Sequence, residues 1–148
     1  MERDEFLKSL GLGLALVCTG SCFQACSKGG DDDDTPPDNG NPGSGNVSVD
    51  ISTLAAVGSQ RVISGVLFFR LAAGNTNDAF VATEAICPHQ GGNLGWQPAN
   101  NHIECDNHQA RFLSSGQVKS NPSTGDSVRA LKIYSTTLTG TTLTASRG

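Results

Sequence analysis

The chain has 148 residues and a formal net charge of −4, room for one domain of ordinary size plus a tail, with no basic excess of the kind nucleic acid draws. Glycine is abundant at 18 residues and aromatics are few at 5%, which points to short strands joined by turns rather than long helices. The acidic excess sits largely in one run, Asp31-Asp32-Asp33-Asp34, and says little about a folded surface.

Residues 1–26 read as an export signal. A short charged start, residues 1–8, precedes an apolar run from Leu10 to Val17. That run is shorter than the roughly 20 residues that cross a bilayer. An uncleaved N-terminal anchor is the alternative. Three of the five cysteines, Cys18, Cys22 and Cys26, fall in this stretch. Ala25 before Cys26 and Ser27-Lys28-Gly29-Gly30 after it resemble the start of a mature bacterial lipoprotein. In that class a peptidase cuts before the Cys and the Cys is lipidated, so Cys26 is the expected lipidation site. The Leu usual three residues upstream is missing; Phe23 stands there, and Thr19 stands before Cys22. Arg3-Asp4-Glu5-Phe6-Leu7-Lys8 resembles a twin-arginine signal, with Asp4 where the second Arg belongs. The expected localisation is the cell envelope, as a membrane-anchored lipoprotein that is periplasmic or surface-exposed.

Residues 27–45 form a linker. The Asp run, Pro36-Pro37 and Gly43-Ser44-Gly45 offer little apolar surface to bury, so disorder is expected.

Residues 46–148 form the domain, and the pattern there is of strands. Val47, Val49 and Ile51 alternate with polar residues at period two. Val62-Ile63 and Val66-Leu67-Phe68-Phe69-Arg70-Leu71 give a stronger strand signal, and Gly74-Asn75-Thr76-Asn77-Asp78 a turn. Ala79-Phe80-Val81-Ala82-Thr83 is the next strand. A short segment at Leu94-Gly95-Trp96 and a strand at His102-Ile103-Glu104 follow. Residues 128–135 and 138–145 alternate and are rich in β-branched side chains, so each is expected as a closing strand. No amphipathic helix is legible after residue 46. The fold class is all-β and antiparallel, with loops projecting from a small sandwich or barrel.

The chemistry lies between residues 87 and 108. Cys87-Pro88-His89 is followed, after fifteen residues, by Cys105-Asp106-Asn107-His108. Thiolate and imidazole together select zinc, copper or iron–sulfur chemistry over calcium or magnesium. A structural zinc site usually pairs Cys with Cys and His with His. Here each pair mixes the two, which suits a two-iron cluster whose irons have different ligands. These are also the only two cysteines beyond the signal, so no pair is left for a structural disulfide.

Cys87-Pro88-His89-Gln90-Gly91-Gly92-Asn93-Leu94 and Cys105-Asp106-Asn107-His108 resemble the two cluster-binding boxes of the Rieske family. Phe112, Gly116-Gln117-Val118, Pro122 and Leu131-Lys132-Ile133-Tyr134 extend the resemblance, which spans roughly residues 47–147. It implies an antiparallel β sandwich with a small cluster-binding subdomain formed by two loops. It implies one [2Fe–2S] cluster per chain, with Cys87 and Cys105 on one iron and His89 and His108 on the other. Pro122 is then expected in a loop over the cluster. High-potential members carry an extra Cys in each box, joined by a disulfide, and a Ser and a Tyr that donate to sulfur. The matching positions here are Gly92, Asn107, Ala110 and Phe112, so a potential toward the lower end of the family's range is expected. Trp96 and the third histidine, His102, are expected to be ordinary structural residues.

The function expected is one-electron transfer on a membrane-tethered carrier or oxidoreductase subunit, between a donor and an acceptor protein, not a stand-alone enzyme. A Rieske oxygenase needs a further catalytic domain, which these residues do not supply. No Ser-His-Asp or paired-carboxylate constellation is legible. The alternative is a zinc-stabilised cell-surface binding module without redox function. Gln90, Asn93, Asn107 and Gln109 give the boxes no legible charged docking face.

Overall fold

The computed structural model describes residues 45–148. The expected export signal with its lipidation site Cys26, and residues 27–44 of the expected linker, lie outside the described residues. Ten strands form three antiparallel sheets. The first holds β1 (Val47–Asp50), β10 (Thr142–Ser146) and β9 (Ser135–Thr139), in that order. The second runs β2 (Gln60–Ile63), β3 (Val66–Arg70), β4 (Phe80–Glu84). The third runs β5 (Leu94–Gln97), β6 (His102–Cys105), β7 (Arg111–Phe112), β8 (Val118–Ser120). The all-β, antiparallel expectation holds.

Strand β3 is the wall between two cores. Its five residues are all buried, which is why the first four, Val66 to Phe69, are a continuous apolar run and not an alternation. Leu67 and Phe69 face one core, with Trp96, Ile103, Phe112, Cys87 and Cys105. Val66 and Phe68 face the other, with Leu54, Phe80 and Leu143. Phe69 stacks on Trp96 with ring centroids 4.5 Å apart and planes 14° from parallel. Strand β3 closes with a charged residue, Arg70, whose guanidinium donates to the carbonyls of Leu54, Ala55, Ala72 and Gly74 and to Asn75 Oδ1. Those bonds satisfy the charge in a buried place and tie two loops to the strand.

The turn that makes β3 possible is read directly from Ser64-Gly65. Both residues have positive φ, 46° and 77°, the two-residue hairpin whose twist matches that of its strands. It sets Ile63 opposite Val66 and so fixes which faces of β3 meet which core.

Three expectations are corrected. Residues 128–134 are extended but not a strand; only Ile133 forms an isolated bridge, with Thr83. The cause is divided partnership. Leu131 N–H donates to Gly116 O, while Lys132 O accepts from Glu84 N–H and Thr83 Oγ1. The segment thus bonds to the β7–β8 turn and to β4 and builds a ladder with neither. Residues 138–145 are not one strand either. Gly140, at φ 59°, turns the chain, and β9 and β10 form a hairpin with Thr139 opposite Thr142. At the other end, β1 stops at Asp50, whose carboxylate accepts from Ser52 N–H at 2.8 Å and starts a 3₁₀ turn over Ile51–Leu54.

Phe68 has no exposed surface and no room to relax toward, being shared by a strand that is packed on both faces. Phe68→Ala should cost about 3–5 kcal/mol of stability, read as a lowered denaturation midpoint. Val62→Ala, at a site 58% exposed on edge strand β2, should change it by under about 0.5 kcal/mol.

Candidate metal centre

Antiparallel register brings the two boxes to one end of the third sheet. The first box is the loop between β4 and β5, and the second the loop between β6 and β7. Leu94, the first residue of β5, stands opposite Cys105, the last of β6. Both loops therefore leave the sheet side by side.

Backbone hydrogen bonds shape each loop around its cysteine. Cys87 N–H donates to Gly92 O at 2.7 Å, and Gly91 N–H to Cys87 O at 3.1 Å. Cys105 N–H donates to Ala110 O at 2.9 Å, and Gln109 N–H to Cys105 O at 3.2 Å. Gly91 and Gln109 take positive φ, 78° and 52°, to complete these turns.

The loops are then locked together. Asn93 N–H donates to Asp106 Oδ1 at 2.8 Å and its side-chain amide to Oδ2 at 2.9 Å, while Asp106 N–H donates to Asn93 O at 3.0 Å. Beside this clamp the contact is closer than any side chain allows. A Cβ at Gly92 would lie 2.7 Å from both Asn107 Cβ and Cys105 Sγ. Gly92 and Asn107 are the positions where the high-potential relatives of the resemblance carry bridging cysteines. Disulfide-linked Cβ atoms sit about 3.5–4.5 Å apart. Here the loops close by direct contact and a three-bond clamp.

The structure brings the four expected ligands together as two pairs, one of cysteines and one of histidines. Cys87 and Cys105 are free thiols, each 2% exposed, on the floor of the site. Burial pushes the Cys87 thiol up, opposed by the backbone amides of His89 and Gln90 that point at its sulfur; the neighbouring Cys105 thiol adds to the rise. A metal removes that proton and makes the thiolate the stable form. Above the thiols, His89 and His108 meet edge to face with ring centroids 5.2 Å apart. The Nδ1 atoms of both are buried with no hydrogen-bond partner. Two buried imidazole nitrogens without partners are costly unless something binds there.

This donor set fits a [2Fe–2S] cluster: two buried thiols and two unpartnered imidazole nitrogens on two adjoining loops, two ligands for each iron. The zinc alternative finds no support in the geometry. Among the described residues no three His, Cys, Asp or Glu side chains gather round one point as a single ion requires.

Other residues fall as follows. Ala110 and Phe112 are fully buried and offer sulfur no hydroxyl. The Gln109 amide, a candidate donor to sulfur, is committed to the Cys105 carbonyl instead. His102 lies in β6, 4% exposed, with Nε2 3.2 Å from Glu104 Oε2 and Nδ1 3.3 Å from Lys119 Nζ; it is a structural residue outside the site. Trp96 is a core residue. The Pro122 loop does reach the site: Ser123 N–H donates to His108 O at 2.7 Å. The same loop brings a residue that sequence reasoning missed. Asp126 Oδ2 lies 3.2 Å from His89 Nε2. No motif marks it, because it is 37 residues from His89 and meets it only through the fold.

A family description, Rieske [2Fe-2S] domain, matches residues 49–135, more than half of the chain. Among solved structures, the plasma membrane Rieske protein PetC3 of the cyanobacterium Synechocystis PCC 6803 is similar at 25% identity and a TM-score of 0.52, over 69% of this chain and 98% of that one. A quaternary ammonium Rieske monooxygenase, CntA, is similar in fold at 19% identity and a TM-score of 0.51, over 71% of this chain. The match spans about a third of that enzyme, 32% of its length. Among curated protein sequences none matches.

Gly92→Ala should drive the two loops apart at the cysteine floor. Iron per chain should fall severalfold while far-ultraviolet circular dichroism stays native, since Gly92 belongs to no strand.

Proposed function

This chain belongs to the Rieske [2Fe–2S] domain family, and from that premise we propose that it is a membrane-tethered one-electron carrier or oxidoreductase subunit. Cys87 and Cys105 ligate one iron of its cluster through sulfur; His89 and His108 ligate the other through Nδ1. The observation that carries this assignment is the pair of buried, unpartnered Nδ1 atoms above two buried free thiols.

The bound cluster supplies one-electron chemistry, accepting an electron from a donor protein and passing it to an acceptor protein. The chain's own residues do the rest. The β5–β6 register and the Asn93–Asp106 clamp hold the ligands in place before metal arrives. Ala85, Leu94, Trp96 and Ile103 exclude water from the thiol side. The two imidazoles lie at the loop tips, where a partner can approach.

The potential follows from what donates to sulfur. Hydrogen bonds to sulfur favour the reduced, more negative cluster and raise the potential. Cys87 receives two backbone amides, and neither Ala110 nor Phe112 adds a hydroxyl. The midpoint should lie in the lower part of a family range that runs from about −150 mV to about +300 mV.

Tethering rests on the sequence before residue 46. Cys26 is the proposed lipid site, residues 1–26 the export signal and residues 27–45 the spacer. Among the described residues no helix is long and apolar enough to cross a membrane. The similarity to a protein whose own description places it at the plasma membrane agrees with an envelope location.

Dithionite reduction of the purified full chain should give the rhombic EPR signal of a His-ligated [2Fe–2S] cluster; a colourless, EPR-silent, zinc-loaded sample would sink the proposal. Cys87→Ser and Cys105→Ser should each abolish the signal. Redox titration giving a midpoint above about +150 mV would contradict the account of sulfur hydrogen bonding. Cys26→Ser should move the chain from the membrane to the soluble fraction, and unchanged membrane association would remove Cys26 as the lipid site.

A further inference from the structure

The two proposed imidazole ligands are not equivalent. Both turn a buried Nδ1 inward, so both turn Nε2 outward. His89 Nε2 is 3.2 Å from Asp126 Oδ2, with the Gln90 side-chain amide at 3.4 Å. The His89 side chain is only 8% exposed under this cover. Among the described residues no hydrogen bond is made to His108 Nε2.

Asp126 is placed, not merely nearby. Thr124 Oγ1 donates to the same carboxylate oxygen at 2.8 Å. The loop carrying both closes on itself through Gly125 N–H to Pro122 O at 3.0 Å, with Gly125 at φ 84°. Ser123 N–H then fixes the loop to the His108 carbonyl. A loop anchored on the second box thus delivers its carboxylate to the histidine of the first. An exposed carboxyl is ionised at neutral pH, so Asp126 faces the ring as an anion.

Resting on the cluster assignment above, we propose that Asp126 is a positioning residue that sets the orientation of His89 and lowers the reduction potential of the cluster it holds. An imidazole that donates its outer N–H to a carboxylate has its tautomer fixed and becomes a more electron-rich ligand. The nearby negative charge acts in the same direction, because it favours the more positive, oxidised cluster. Asp126 is 60% exposed, so solvent screens the charge and the effect is moderate. It also divides the labour at the tip: His89 is held, and His108 keeps the free edge that a redox partner can touch.

The test is redox titration of the full chain, followed by EPR, for the wild type and three variants. Asp126→Asn removes the charge and keeps the size. It should shift the one-electron reduction equilibrium toward the reduced form by up to tenfold, about 59 mV. Thr124→Val frees the Asp126 oxygen from its second donor and should leave the potential level or lower it. Asp78→Asn removes the same charge from the 3₁₀ turn Asn77–Ala79, which packs on β9, and should leave the potential level. In the same samples, pulsed EPR should show the nitrogen coupling of one histidine changed in Asp126→Asn and both retained in Asp78→Asn. Any other ordering of the potentials overturns the inference, as does loss of the cluster from Asp126→Asn, which would make Asp126 a requirement for assembly instead. A wild-type chain without an EPR-active cluster overturns the electron-transfer reading and this inference with it; a loaded wild type with Asp126→Asn at the same potential overturns the inference alone.

Discussion

Everything at the tip of this domain depends on how closely two loops meet at Gly92. Asn107 Cβ and Cys105 Sγ stand where a side chain on Gly92 would begin. That contact sets the distance between the boxes and so between the four proposed ligands. The Asn93–Asp106 clamp beside it supplies direction, because a carboxylate that accepts both a backbone and a side-chain amide tolerates little rotation. A disulfide at the same place would hold the loops by a covalent bond of longer span. Contact plus hydrogen bonds need no oxidation to form, and they leave the only two cysteines of the domain free for metal.

The loops can meet because the strands beneath them are held from both sides. Strand β3 puts Phe69 under Trp96 in the core next to the cysteines, and Phe68 into the opposite core. A change in one core is therefore transmitted to the other through a single strand with no exposed face. The third sheet inherits its position from that strand, and the boxes inherit theirs from the third sheet.

Electrostatics at the tip is graded from floor to surface. The thiols are buried and Cys87 is disfavoured as an anion, so a bound metal and the amides of His89 and Gln90 must supply the compensation. The imidazoles come next, with inner nitrogens dry and outer nitrogens near solvent. Asp126, exposed and anionic, stands outermost. Charge at the tip is thus carried both by Asp106 within the second box and by Asp126 outside both boxes.

The residue types and spacing of the two boxes were legible in the sequence, because ligands that share a loop must be close in the chain. So were the antiparallel all-β class and the strand signal over residues 66–71, an apolar run interrupted only by Arg70. Four features were not. Residues 128–134 carry a strand pattern but divide their bonds between the β7–β8 turn and β4, and local pattern cannot say how partners are divided. The Asn93–Asp106 clamp and the Asp126–His89 contact join residues 13 and 37 apart, and no local rule pairs them. The tightness at Gly92 depends on the β5–β6 register, which is a property of the sheet. The sequence by itself determined which atoms could hold a metal. Only the tertiary structure decided how close they come and which carboxylate faces them, because those are distances between segments that are separated along the chain.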